Sequence, residues 1–288
     1  MKIVTLLARH GVAKYTNAAS DIDALFARRM PHAGHETVIV DNALPVGHVE
    51  PVSAGVTLIG GSNAAWEFSA WDSAVAFLGE RLHAYDFVHL ATSAFRQLYV
   101  AYLERFDTQM LQLVNGRAAA VGHIDYYNDP VTLLGQACQS WLRTSFVFLP
   151  PVEIDMLGSF VSVTDRERFF SGDPAAPFRV DAPISEGYRQ NILGWLTGDG
   201  TDQGTEWHSR FLLTTETLSF FESKTMAILN EQMLSNRLRA RGCATVDATW
   251  LATQVKSKKH RDVLGAIPNW RAQVTSRDVD AAPASVLV

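Results

Sequence analysis

The chain has almost no cysteine: Cys138 and Cys243 are its whole complement and stand far apart. Without a Cys-x-x-Cys spacing, neither a disulfide framework nor a structural zinc site is expected, and a reducing cytoplasm fits best. Basic charge is also short. Lys and Arg number 25 against 30 Asp and Glu, a formal net charge of −5, so the basic stripe that marks a nucleic-acid partner is excluded. Long apolar runs are missing as well. The run Ile3 to Ala8 is cut off by Arg9 and His10, which is too short for a signal-peptide core, and nothing approaches the ~18 residues of a membrane span. Export by that route and membrane insertion are therefore not expected. What remains is an ordinary globular composition, 47% hydrophobic and 19% charged over 288 residues, with no internal repeat.

Within it, short β-branched runs alternate with helical periodicity. Lys2 to Leu7, Val38 to Val40, Val56 to Ile59 and Phe87 to Leu90 read as buried strands. Residues 18 to 30 and 64 to 80 read as helices, the second carrying the stripe Phe68, Trp71, Val75 and Leu78. This order predicts an α/β fold with a mostly parallel central sheet flanked by helices. Beyond about residue 120 the pattern loosens. Ser145 to Leu149 reads as a strand, Ser171 to Pro177 and Thr197 to Gly204 as loops, and Thr215 to Arg241 as a long helix closed by Gly242. The expected division is a nucleotide-binding half over 1 to 120, an irregular acceptor-side half of the same domain over 121 to 255, and a flexible tail over 256 to 288. The basic run Lys256 to Arg261 reads as a solvated tail or as a peripheral contact with anionic lipid.

Asp41-Asn42 closes the second strand, where ligands of open α/β sheets bind. The acid there suits a base or ribose, or merely caps a turn. Gly60-Gly61-Ser62-Asn63 then leads into a helix whose free N–H groups and dipole would face a diphosphate, with Glu67 and Asp72 in its first turns. For Asp72 a dipole-complementing role is the better reading, and for Trp66 and Trp71 packing is.

Thr37-Val-Ile-Val-Asp41-Asn42, Gly61-Ser-Asn63 through Trp71, and Tyr85 through Thr92-Ser93, taken in order, resemble GT-A glycosyltransferases of the rhamnan-synthesis type. A fainter likeness continues at Gln139 to Phe148 and at Ser185-Glu186-Gly-Tyr188. The resemblance implies transfer, with inversion, from a nucleotide-sugar donor to a polysaccharide or glycoconjugate acceptor, in the cytoplasm near the inner membrane face. It places Ala8, Arg9, His10, Asp41, Asn42, Asn63, Glu67, Thr92 and Ser93 around the donor, and Gln139 toward the acceptor. The cluster Glu206-Trp207-His208 after the loop suits contact with the sugar or the acceptor, because aromatic faces and carboxylates recognise carbohydrate, or else Trp207 is a buried structural residue. The resemblance makes Glu186 the first candidate for the base that deprotonates the acceptor, with Asp125 and Asp165 behind it. A first-turn glutamate favouring the helix dipole is the plainer reading of Glu186.

The departure concerns the metal. Where such enzymes carry Asp-x-Asp for Mg2+ or Mn2+, the matching positions read Ala91-Thr92-Ser93-Ala94, and hydroxyls alone make a poor site for a hard cation. Helix N–H groups and Arg9, Lys14 or Arg96 would then take the diphosphate charge, unless the cation is held elsewhere. Two other readings stay open. Leu7-Ala-Arg9-His10-Gly11 is similar to the Arg-His-Gly signature of histidine phosphatases, which would make His10 a phosphorylated nucleophile. Against it, the nearest base after Gly11 is Lys14, and neither His123 nor His208 reads as the late strand-end His that family needs. A non-catalytic, glycan-binding GT-A-like subunit is the other alternative.

Overall fold

A computed structural model describes residues 1–97, 100–198, 211–256 and 267–280. Its strands are β1 (Lys2–Arg9), β2 (Gly34–Asp41), β3 (Val49–Ser53), β4 (Val56–Gly60), β5 (Phe87–Thr92), β6 (Ala119–Gly122), β7 (Ile124–Leu133), β8 (Gln136–Leu142), β9 (Phe146–Leu149) and β10 (Ala244–Asp247). The α-helices are α1 (Ala18–Arg29), α2 (Trp66–Leu78), α3 (Thr108–Gln112), α4 (Pro151–Leu157), α5 (Glu186–Thr197), α6 (Thr215–Ala240), α7 (Ala248–Lys256) and α8 (Trp270–Asp280). None of the described helices is long and apolar enough to cross a membrane.

The main sheet has the order β10-β6-β9-β5-β1-β2-β4-β3. Pairs β1–β2, β1–β5, β2–β4 and β6–β10 are parallel, whereas β9 runs antiparallel to β5 and β6, and β3 folds back on β4. This mostly parallel, helix-flanked sheet is the expected α/β architecture and is compatible with a GT-A-like fold. Because only β9 and β3 are reversed, the C-terminal ends of β1, β2, β4, β5, β6 and β10 and the start of β9 share one edge. That edge gathers Arg9, Asp41, Gly60, Thr92, Gly122, Asp247 and Ser145. Strands from both sides of residue 120 share this sheet, so the expected halves are one hydrogen-bonded unit.

Apolar residues on successive positions of β1 and β5 are buried on both faces, as parallel strands covered by helices must be. One face packs Phe68, Trp71 and Leu78 of α2 with Leu234 and Leu238 of α6, and Trp71 Nε1 donates to the Leu6 carbonyl at 3.0 Å. The opposite face packs Ile22, Leu25 and Phe26 of α1 with Met110 of α3 and Leu251 of α7. Within that layer Thr5 Oγ1 lies between His35 Nε2 at 2.8 Å and His89 Nδ1 at 3.0 Å. Burial holds both imidazoles below their ordinary pKa, His35 at about 4.

The hairpin β7–β8 was not anticipated, because its alternation is broken by a register shift between Tyr126 and Val131. With α5 and the first half of α6 it forms a third apolar cluster around Tyr127, Trp141, Tyr188 and Phe221. Helix α6 ties this lobe to the sheet with buried polar side chains. Gln232 joins the Tyr188 and Tyr127 hydroxyls at 2.7 Å each, Asn230 Oδ1 accepts from the Ser162 and Val163 N–H groups, and Arg239 reaches Ser140. The expected tail needs correcting at 270–280. Helix α8 docks Gln273, which is buried, onto the Asp247 N–H at 2.7 Å, and Arg277 onto the Asp247 carboxylate at 2.6 Å.

Candidate functional site

At the C-terminal edge, Asp41 is buried and almost fully committed. Its Oδ1 accepts from Gly11 N at 2.7 Å and Ala43 N at 2.9 Å, and its Oδ2 accepts from Arg9 Nε at 2.7 Å. Burial alone would raise its pKa, but these bonds outweigh it and hold the carboxyl below the ordinary value. Asp41 thus organises the loops after β1 and β2. Asn42 Nδ2 donates to Asn63 Oδ1 at 3.2 Å and to the Trp66 carbonyl at 3.0 Å, pinning the entry of α2. The neighbouring glycines serve packing rather than ligand approach. A Cβ on Gly60 would strike the Pro45 carbonyl, and one on Gly61 would strike Asn42 Oδ1.

The entry of α2 is also less open to an anion than its sequence predicts. Ala65 N donates to Ser69 Oγ at 2.9 Å and Ala64 N to Ser62 Oγ at 3.3 Å, so hydroxyls of the same segment occupy these N–H groups. Thr92 N and Ser93 N are likewise used, by the Ser145 and Ala8 carbonyls. Asp72, expected to complement the helix dipole from the first turns, lies further along α2 and instead accepts from Ser159 Oγ and Phe160 N, holding the segment after α4. Arg96 lies 3.7 Å from Asp21, and His10 is exposed with no partner among the described residues.

Charged groups converge instead on the seam between α2 and α6. Phe220, Lys224, Ala227 and Glu231 recur at helical spacing along one stripe of α6. Opposite lie Trp66 and Glu67, the first residues of α2. The Trp66 and Phe220 rings are 6.2 Å apart and Lys224 Nζ sits 5.3 Å from the Phe220 centroid. Trp66, expected in the core, is only partly buried and has φ 51°, a left-handed value rare outside glycine. The Glu67 carboxyl has no side-chain hydrogen-bond partner among the described residues. Burial, with the charge of Glu231, pushes its pKa up to about 7 against the pull of Lys224. Burial also lowers Lys224, and the charge of Lys14 adds to the effect.

Glu231 Oε1 accepts from Thr144 N at 2.8 Å and Thr144 Oγ1 at 2.9 Å. Burial and the nearby Asp125 charge still raise its pKa. Asp125 is clamped by Arg143, whose Nε and Nη2 both lie within 3.0 Å of Oδ2, and stands 3.4 Å from His123 Nε2. Burial would raise Asp125, yet the Arg143 guanidinium and His123 hold it far below the ordinary carboxylate range. It is a poor proton acceptor. The buried Tyr102 hydroxyl sits beside this group without hydrogen-bond geometry to any described residue, and its ring stacks on His123 at 4.9 Å. His123 does follow a strand end, that of β6, but Asp125 and Arg277 engage it.

The structure does not bring the other candidates here. Glu186 is 70% exposed on the first turn of α5, with Arg189 and Gln190 of its own helix as partners. Gln139 ties the hairpin, donating to the Tyr127 and Asn128 carbonyls. Asp165 caps a turn through Arg168 N. Glu206, Trp207 and His208 lie outside the described residues. The apolar stripe of α6 does not single out Lys224 or Glu231, and Arg143 follows β8 with no local pattern to mark it. The polar triplet Asn230-Glu231-Gln232 within α6 was the available signal.

No family model matches this chain. No curated protein matches it in sequence either. Among solved structures, the 2-C-methyl-D-erythritol 4-phosphate cytidylyltransferase of Francisella tularensis is similar over 85% of this chain and 89% of that one, at 12% identity and a TM-score of 0.32. So loose a likeness carries no argument about activity, and none of these comparisons ties the chain to rhamnan synthesis. For Mg2+ or Mn2+ the residues present do not fit. Thr92 and Ser93 stand where carboxylates would be needed, and no group of three His, Cys, Asp or Glu among the described residues could hold a metal ion.

Proposed function

We propose that this protein is a glycosyltransferase that moves a sugar from a nucleotide-sugar donor to a saccharide acceptor. One observation carries the reading. Over the C-terminal edge of the sheet, the cations Lys14, Lys224 and Arg143 come within electrostatic reach of the carboxyls Glu67, Glu231 and Asp125, drawn from separate loops, helices and strand β7. Open α/β sheets bind ligands at that edge. Sugar transfer asks for such a mixture: cations to receive a diphosphate leaving group, a carboxyl to take the acceptor proton, and hydrogen-bonding groups to hold hydroxyls. With Ala64 N and Ala65 N ahead of α2 taken by the Ser62 and Ser69 hydroxyls and hydroxyls rather than carboxylates at Thr92-Ser93, Lys14 and Lys224 are the groups that would face the diphosphate.

The rest of the assignment comes from the sequence resemblance: inversion, a surface polysaccharide or glycoconjugate as acceptor, and action at the inner membrane face. The phosphatase reading is less well supported, because Arg9 is spent on Asp41 and, among the described residues, no second His contacts His10. Release of nucleoside diphosphate from UDP-, GDP- and dTDP-sugars tests the proposal. Turnover with one donor, reduced at least tenfold in a Lys14→Ala/Lys224→Ala double variant, is the expected result. Binding of a donor without release would favour the non-catalytic subunit, and hydrolysis of p-nitrophenyl phosphate lost on His10→Ala would favour the phosphatase.

A further inference from the structure

The seam between α2 and α6 carries a feature that donor binding does not use. Phe220 is 46% exposed although it is an aromatic residue, and its ring lies 6.2 Å from that of Trp66, whose φ of 51° is unusual for a side chain of that size. Phe211 adds a third ring 5.4 Å from Phe220. Such a surface is apolar on its face and bordered by hydrogen-bonding groups, with Glu67 next to Trp66 in sequence and Lys224 over the Phe220 ring. That combination suits a pyranose ring, which offers C–H groups on one face and hydroxyls around its rim.

Resting on the transferase reading above, we propose that Trp66 and Phe220 form the acceptor-sugar subsite, and that Glu67 is the catalytic base for the acceptor hydroxyl. In the step, the Glu67 carboxylate takes the hydroxyl proton while the acceptor oxygen forms a bond to the anomeric carbon of the donor. The bond from that carbon to the diphosphate oxygen breaks, and its electron pair leaves with the nucleoside diphosphate. Glu231, fixed by Thr144, is a positioning residue: its negative charge keeps Glu67 basic enough to accept a proton near neutral pH. Glu186 and Asp125 cannot serve, the first being remote in its contacts and the second locked to Arg143.

Two measurements separate this idea from the reading beneath it. Glu67→Gln should lower kcat at least ~100-fold, in line with the loss of a general base, while donor affinity stays within about twofold. The wild-type rise of kcat with pH near 7 should disappear in it and shift to lower pH in Glu231→Gln. A Glu67→Gln enzyme within about threefold of wild-type kcat overturns the base assignment without touching the transferase reading. Saturation-transfer NMR with methyl hexosides and linear trisaccharides reads the platform without turnover. Transfer to the sugar that is lost in Phe220→Ala, a substitution at a half-exposed position, supports the subsite even in a protein that turns over no donor. No contact between these sugars and the wild-type protein, or contact that survives in Phe220→Ala, overturns it.

Discussion

The loop edge around Asp41 and the seam between α2 and α6 treat their carboxyls in opposite ways. Asp41 is enclosed by Gly11, Ala43 and Arg9, and its negative charge is stabilised by all of them. Burial holds both Glu67 and Glu231 toward the protonated form, helped at Glu67 by the charge of Glu231 and at Glu231 by that of Asp125. The first arrangement is what stability requires, because a buried charge is tolerated only when paired. The second costs stability, and a group poised near neutral pH is what proton transfer requires. On the proposed function, this difference assigns the chemistry to the seam and the architecture to the loop edge.

That contrast can be broken most forcefully at the loop edge. Gly60→Ala drives a Cβ into the Pro45 carbonyl, and should cost about 3 kcal/mol. Asp41→Ala strands the Arg9 guanidinium and the Gly11 and Ala43 N–H groups and should cost a similar amount, about 3 kcal/mol. Urea unfolding midpoints test both, and losses below about 1 kcal/mol would show that the edge is not structural.

Next comes pH. His35 is held neutral at a pKa of about 4 in the fold and is near 6.5 when unfolded. Its contribution is therefore complete above pH 6.5 and is lost as pH falls toward 4, by about 3 kcal/mol in all. Glu67 works with the opposite sign. Its folded pKa of about 7 exceeds the ordinary 4.5, so stability is complete below pH 4.5 and is lost as pH rises through 7. Partial exposure to water limits that loss to about 1–2 kcal/mol. Unfolding free energies from pH 4 to 8 should thus lose their acid-side slope in His35→Gln and their alkaline-side slope in Glu67→Gln. If Glu67→Gln leaves the alkaline side unchanged, the two regions do not differ as described.

The smallest expected effect is at Glu186. Its solvent-exposed first-turn position predicts a change within about 0.5 kcal/mol for Glu186→Gln and an unaltered transfer rate. A large fall in rate would return the base to α5.

How much of this could be read from residues alone follows from the same division. The strands at 2–7, 38–40, 56–59 and 87–90 were legible because doubly covered parallel strands are continuous apolar runs, and Trp71 and Phe68 took the packing places their spacing indicated. Asp41 was recognised as a special acid at a strand end, but whether it binds a ligand or a loop depends on Gly11, 30 positions away in the chain. The α2–α6 seam joins residues around 66 and 231, and no local pattern announces such a meeting. The hairpin β7–β8, whose alternation is broken by its register shift, and helix α8 are additionally tied down by Gln232, Gln273 and Arg277, polar side chains whose partners are distant in sequence.

Trp66 carries a consequence for how this protein changes over generations. A non-glycine residue at φ 51° costs about 1 kcal/mol relative to glycine. Random substitution there is therefore biased: glycine would strengthen the fold, and an indole survives only while something selects for the ring. On the proposed role of Trp66, lineages in which position 66 has drifted to glycine or asparagine would be those that have stopped using the seam, which ties this one backbone angle to the fate of the proposed subsite.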